Sequence, residues 1–154
     1  MAGTTTGRVA LLSIHPRYAD EILAGRKRVE FRRRPLPDDV TQVVIYATAP
    51  VARVVGTFQV EAIDSTTPSE AWQHYHQIGG IGQEAFDAYY DGTDTAHVIR
   101  IRAVQAAESP FPLSEVDESL RPPQSFTYLR DRRWARAYQL MKRRAQPERL
   151  SQPA

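Results

Sequence analysis

The chain has 154 residues, enough for one domain with a sizeable core, and its 42% hydrophobic and 25% charged residues are ordinary for a globular protein. It contains no cysteine, which excludes disulfides, thiolate catalysis and cysteine-ligated zinc. No apolar run is long enough to span a bilayer, and the N-terminal MAGTTTGR has no apolar signal core, so a cytoplasmic location is expected.

Residues 1–6 and 147–154, small or Pro- and Gln-containing, read as flexible tails. Arg8–Ile14 is a short apolar run that predicts a buried strand. His15-Pro16 breaks it, and Pro16 suits the first turn of a helix whose apolar face is Tyr18, Ile22 and Leu23. Gly25 suits the left-handed position after that helix. Residues 28–33 resume an extended pattern until Pro35 and Pro37 end it, and Val43–Ala47 is a second core strand. In residues 53–63, Phe58, Val60 and Ala62 alternate with Thr57, Gln59 and Glu61, a strand in which Gly56 signals a bulge or a close backbone approach.

Thr67-Pro68-Ser69-Glu70 is a capping box with proline at the first helical position, so a helix is predicted from there to about His76. Gly79, Gly80 and Gly82 break it and read as a loop; a short helix follows over 83–90, stopped by Asp91-Gly92. Residues 97–103 alternate as a strand, and the Pro-rich 108–129 read as mostly irregular. Residues 131–144 predict a last helix with Trp134, Tyr138 and Met141 on one stripe and Arg132, Arg133, Arg136, Lys142 and Arg143 away from it. This order, with few helices and non-repeating connections, argues for an α+β fold built on a small mixed or closed barrel rather than a doubly wound sheet.

Net charge is only +2, but the charge is segregated. Residues 26–34 hold six basic residues and one acidic, residues 130–149 eight basic and two acidic, and the span 35–129 only four basic against thirteen acidic. Such clustering builds a local positive field on a near-neutral chain, or is two solvated faces with local ion pairs. Within the first cluster, Lys27, Glu30 and Arg32 are the groups able to hold a phosphate or a base edge, or to polarise a carbonyl. At ideal alternation Lys27 faces away from Glu30 and Arg32 unless a bulge intervenes. Pro122-Pro123-Gln124-Ser125-Phe126 offers polar donors and a stacking ring on a stiff loop, or simply anchors Phe126 in the core. His74 and His76, two apart on a helix, do not share a face and make no metal pair.

These residues carry a resemblance. LLSIHPRYADEILAGRKRVEFR contains G-x-K-x-x-E-x-R as Gly25, Lys27, Glu30 and Arg32, and together with Tyr46, Ala49-Pro50, VVGTFQV, Trp72 and PPQSFTYL the stretch 7–130 resembles an ASCH domain of the PUA-like superfamily. The resemblance implies a small β-barrel with flanking helices, to which the basic amphipathic helix of residues 131–146 is a C-terminal extension. It implies RNA, single-stranded nucleic acid or a modified nucleoside as partner, with no cofactor and no metal, and a place in RNA metabolism or transcription regulation. Some members are enzymes, either ribonucleases or N4-acetylcytidine amidohydrolases, with the motif lysine in the active site; here that lysine is Lys27. The amidohydrolase branch has Thr where Glu30 stands and a catalytic Glu near the position of His76, so that chemistry would need Glu30 or Glu70 as base. The site expected is therefore Lys27, Glu30 and Ser125 for catalysis, with Ser13, Arg26, Arg28, Arg32, Tyr46, Gln124, Phe126, Arg132 and Arg133 as further ligand contacts. Binding of RNA ranks first, a metal-independent hydrolase second, and a protein-interaction module using the C-terminal arginines third.

Overall fold

The computed structural model describes residues 7–144. The expected tails, and the last residues of the C-terminal extension, lie outside the described residues. The described chain runs β1 (Arg8–Ile14), α1 (Pro16–Leu23), β2 (Val29–Arg32), β3 (Val40–Ala47), β4 (Arg53–Thr66), α2 (Pro68–Tyr75), α3 (Gln83–Tyr90), β5 (Ala96–Phe111), β6 (Phe126–Leu129) and α4 (Asp131–Met141). Single 3-10 turns follow α2 and β5. One six-stranded sheet in the order β2-β5-β4-β3-β1-β6 organises the fold, parallel only between β1 and β3. The α+β class holds, and the boundaries of α1 and α3 fall where Pro16, Gly25, Gly82 and Asp91 punctuate the chain.

The barrel is not closed by a backbone ladder, since β2 and β6 are both edge strands. The sheet nevertheless curls until its two edges meet. Arg32, at the end of β2, donates to the carbonyl of Ser13 in β1 at 3.3 Å and to Ser125 Oγ just before β6 at 2.9 Å. Gly56 lies at a register shift in β4. A Cβ there would stand 2.6 Å from both the Gln105 carbonyl and a Leu23 methyl, so bulge and close approach coincide.

Two segments differ from their sequence reading. β5 continues to Phe111 rather than stopping near 103. Its alternation is interrupted where Ala103 adopts φ 51°, which hides the second half of the strand from a period-2 pattern. Pro110 is tolerated because β2 pairs only with residues 97–100 of β5, leaving that edge free further on. Phe126–Leu129, read as loop, is β6, antiparallel to β1.

Three apolar clusters hold the layers together. Leu12, Ile14, Ile22, Val43, Ile45, Phe58 and Ile99 fill the concave side of the sheet. Leu11, Val44, Tyr46, Val54 and Phe111 lie on the other face, covered by Trp134, Ala137, Leu140 and Met141 of α4. Val29, Phe31 and Val98 pack under Trp72, Phe86 and Tyr90 of α2 and α3. Each fully buried side chain of this kind contributes about 1.5–3 kcal/mol. Among the described residues no helix is long and apolar enough to cross a membrane.

Candidate functional site: a buried charge chain ending at Ser125

The site begins with a turn. Gly25, at φ 80°, closes α1, and the amides of Arg26 and Lys27 both donate to the Glu21 carbonyl, at 3.1 and 3.0 Å. Strand alternation starts only at Val29, so the turn, not the strand, aims Lys27. It points inward, with its side chain 1% exposed. Its ammonium donates to the Gly79 carbonyl at 2.5 Å and stands 3.5 Å from Glu30 Oε1. The rings of Tyr18 and Phe31 lie 5.2 and 5.1 Å away, within cation–π range.

The chain of charges continues outward. Glu30 Oε2 is 3.5 Å from the guanidinium of Arg32, whose side chain is 15% exposed. Arg32 in turn holds Ser125, and the Ser13 hydroxyl donates to the Pro123 carbonyl at 2.6 Å while its amide donates to the Ser125 carbonyl at 3.0 Å. The loop before β6 is thus tied to the end of β1 by two hydrogen bonds and to the end of β2 by a third. The Tyr90 hydroxyl donates to the Arg32 carbonyl at 3.0 Å and fixes the end of β2; burial pushes its pKa above the ordinary value, with Tyr89 and Glu30 adding to the rise.

Burial also lowers the Lys27 pKa from its ordinary 10.5, against the opposing pull of Glu30 and, more weakly, Glu21. The ammonium has carbonyl, carboxylate and aromatic partners but almost no solvent. Its role in this geometry is to hold Glu30, which holds Arg32. The groups a ligand can reach are Arg32, Ser13, Gln124, Ser125 and Phe126, all partly or fully exposed.

Reading the sequence missed what covers the lysine. Gly79 and Gly80 form a lid, not a neutral loop. A Cβ on Gly80, which sits at φ 62°, would fall 2.8 Å from Lys27 Cβ, and one on Gly79 would fall 2.7 Å from the Phe31 ring. The run of three glycines within four residues is the only sequence signal of that close approach.

The other expected residues are not joined to this chain by hydrogen bonds or ion pairs. Arg26 is exposed and pairs with Glu21 at 2.8 Å, a hydrogen bond that draws the Glu21 carboxyl below its ordinary range. Arg28 is exposed, with its amide on the Ile78 carbonyl. Tyr46 is beside Ser13 in the β1–β3 register and on the same face of the sheet, opposite to Leu12 and Ile14; it is 6% exposed and its ring packs in the cluster under α4. Arg132 is exposed on α4, and Arg133 is bound to Asp117 and Ser119. Glu70 is exposed and bonded to the Thr66 hydroxyl. His76 stacks on Trp72 and shares a hydrogen bond with its carbonyl, so neither belongs to the charge chain.

Comparison with known proteins places this geometry in context. The ASCH domain family model matches residues 12–109. An ASCH domain-containing ribonuclease from Zymomonas mobilis is 36% identical over 125 residues, covering 79% of this chain and 84% of that protein. The crystal structure of ASCH from Zymomonas mobilis aligns with a TM-score of 0.81 at 34% identity, over 86% of this chain and 95% of that one. The YTH domain of a Zygosaccharomyces rouxii protein, solved with N6-methyladenosine RNA, shares the fold at a TM-score of 0.50 and 9% identity, over 94% and 93% of the two chains.

Proposed function

This chain belongs to the ASCH domain family, and we propose that it binds single-stranded RNA where Arg32, Ser13, Ser125 and Phe126 meet, and cleaves it there without a metal cofactor. One observation carries the reading: the buried Lys27–Glu30 pair holds the partly exposed Arg32 guanidinium, hydrogen-bonded to Ser125. A guanidinium presents a planar fork of donors that matches a phosphodiester, and fixing it beforehand removes the cost of ordering it on binding. Ser125 Oγ accepts from Arg32, which leaves its own proton to donate to a phosphate oxygen. Phe126, next along, offers a face for a base.

The reaction that fits is attack of the adjacent 2′-hydroxyl on phosphorus. The P–O5′ bond breaks, giving a 2′,3′-cyclic phosphate and a 5′-hydroxyl. Solvent takes the 2′ proton and returns one to the departing oxygen. Arg32 and Ser125 stabilise the charge that builds on the non-bridging oxygens. Lys27 touches no substrate in this scheme and acts as a positioning residue. The likeness to a protein named as a ribonuclease favours turnover over binding alone.

The test is digestion of a labelled single-stranded RNA in excess EDTA, beside the same sequence as DNA. RNA is cleaved and DNA is not, because DNA lacks the 2′-hydroxyl. Ser125→Ala and Arg32→Gln each lower the rate by 100-fold or so, in line with loss of one preorganised donor. Equal rates for the parent and both variants would remove the site from the reaction, and RNA that is neither cleaved nor bound at low salt would end the proposal.

A further inference from the structure

The far end of β6 carries a second group of aromatic and cationic side chains. Tyr128 lies between two guanidinium groups, with Arg8 4.7 Å from its ring centroid and Arg130 at 5.5 Å. Together with Asp131 and Trp134 they line a cavity of about 400 Å³ at the junction of β1, β6 and the start of α4. That volume lies in the range of small-ligand sites. Arg8 is paired with Asp39 at 3.0 Å. Arg130 is exposed and makes no ion pair among the described residues. Trp134 is half-buried, with one side packed on the cluster beneath α4.

We infer that this cavity is a nucleotide subsite, taking a base against Trp134 and its phosphate on Arg130 and Arg8. The inference rests on the RNA reading above and extends it along the strand. Ser125 and Arg130 flank β6 at its two ends, about 17 Å apart at the rise of an extended chain. Phe126 and Tyr128 share one face of β6, each packed on the concave-side cluster and partly exposed, and their rings meet edge to face at 5.9 Å. Among the described residues β6 is an edge strand with nothing paired on its outer side. An RNA strand held by Arg32 at one end of β6 therefore meets aromatic faces along it and a cationic, ring-walled cavity at the other end. Aromatic stacking with flanking arginines is the chemistry that grips single-stranded nucleic acid without reading sequence. The Asp131 carboxylate at the rim accepts from an exocyclic amine of the base.

The test is the affinity of an RNA dodecamer at several salt concentrations. Trp134→Ala weakens it about 5- to 100-fold, as expected for one stacked base. Trp134→Phe, which keeps a ring and the packing, restores most of the affinity. Arg130→Gln lowers the slope of log affinity against log salt by about 0.7, one phosphate contact on a single strand. Parental affinity in Trp134→Ala together with a parental slope in Arg130→Gln overturns the subsite, as does a Trp134→Phe protein that folds but binds as poorly as the alanine variant. The double variant Arg32→Gln, Ser125→Ala separates this inference from its parent reading. If the Ser125 end is wrong, that variant binds the dodecamer as the parent does while Trp134→Ala still weakens it. If the subsite is wrong, the pattern is reversed, and a dodecamer bound by no form of the protein defeats both.

Discussion

Residues 26–34 and 130–144 are the two arginine-rich segments of the chain, and the fold uses them in opposite ways. In the first, a single acidic residue, Glu30, is enclosed between Lys27 and Arg32, and the three run from the interior to the surface as one charged chain. In the second, Arg132, Arg133 and Arg136 lie on α4 away from its inner stripe of Ala137, Leu140 and Met141, and Lys142, Arg143 and Arg144 follow its end, exposed. Several of those cations fasten α4 to the segment after β5: Arg133 to Asp117 at 2.8 Å, Arg143 to Glu115 at 2.5 Å, and Arg136 to the Glu115 carbonyl at 3.1 Å. Similar charge density thus produces a buried, positioned chain of charges in one place and surface fastening in the other. The deciding feature is burial. A cation taken out of water must be given partners, and those partners transmit its position to the next group.

The sharpest way to break this contrast is to remove the buried cation. Lys27→Ala leaves Glu30 buried with half its partners and opens a void beneath Gly79, so unfolding by urea should show a loss of about 3–5 kcal/mol. Gly80→Ala should also destabilise, since its new methyl meets Lys27 Cβ at 2.8 Å on a backbone at φ 62°. Arg133→Ala, at a half-exposed pair, should stay within about 1 kcal/mol. If Lys27→Ala costs no more than Arg133→Ala, the two segments do not differ in the way described.

The contrast was only partly legible in the sequence. Lys27, Glu30, Arg32 and Ser125 stand out by residue type and spacing, and the structure joins them in one chain of contacts. The burial of Lys27 was not legible, because Tyr18, Gly79 and Gly80, which enclose it, come from α1 and from the loop after α2. Local periodicity cannot report a contact 52 residues away. β6 was hidden for the same reason: four residues following a Pro-rich loop become a strand only by pairing with β1, at the other end of the chain. α1 and α3 were readable because their limits are local, set by proline, glycine and short-range hydrogen bonds. Arg132 and Arg133 have residue types suited to binding RNA, but they lie on α4, apart from the chain from Lys27 to Ser125, whereas Tyr46 shares the face of Ser13 in the β1–β3 register.

Chemical labelling and pH sharpen the contrast more gently. The chain has only two lysines, Lys27 and Lys142, one in each basic segment. Lys142 is exposed, its ammonium 4.4 Å from the Tyr138 ring centroid, whereas Lys27 is enclosed. An amine-reactive reagent followed by peptide mass mapping should label Lys142 in the folded protein and both lysines in urea. The pH dependence has a definite sign. With its pKa lowered by burial, Lys27 binds fewer protons folded than unfolded between that lowered value and 10.5, so it makes stability rise with pH through that window. Lys27→Met should lack this rise. Equal labelling of the two lysines in the native state would contradict the enclosure.

The smallest expected effect concerns the fastening of α4. Asp117 accepts from the Ser119 amide at 2.9 Å, the Ser119 hydroxyl at 2.8 Å and Arg133 at 2.8 Å. The Ser119 amide, then Arg133 and the Ser119 hydroxyl, hold its pKa down to about 2, from an ordinary 3.8. A carboxylate whose pKa is lower folded than unfolded contributes stability that is complete above 3.8 and disappears as pH falls through about 2. The melting temperature of Asp117→Asn, compared with the parent, should therefore show a deficit at neutral pH that shrinks through this acidic window. The group is exposed, so added salt should reduce the deficit as well. RNA binding at the Ser125 end of β6 should be unaffected, because Asp117 and Arg133 act through the α4 contact and lie outside the chain from Lys27 to Ser125. A loss of RNA affinity in Asp117→Asn, without loss of stability, would instead give Arg133 the ligand role that its fastening contacts argue against.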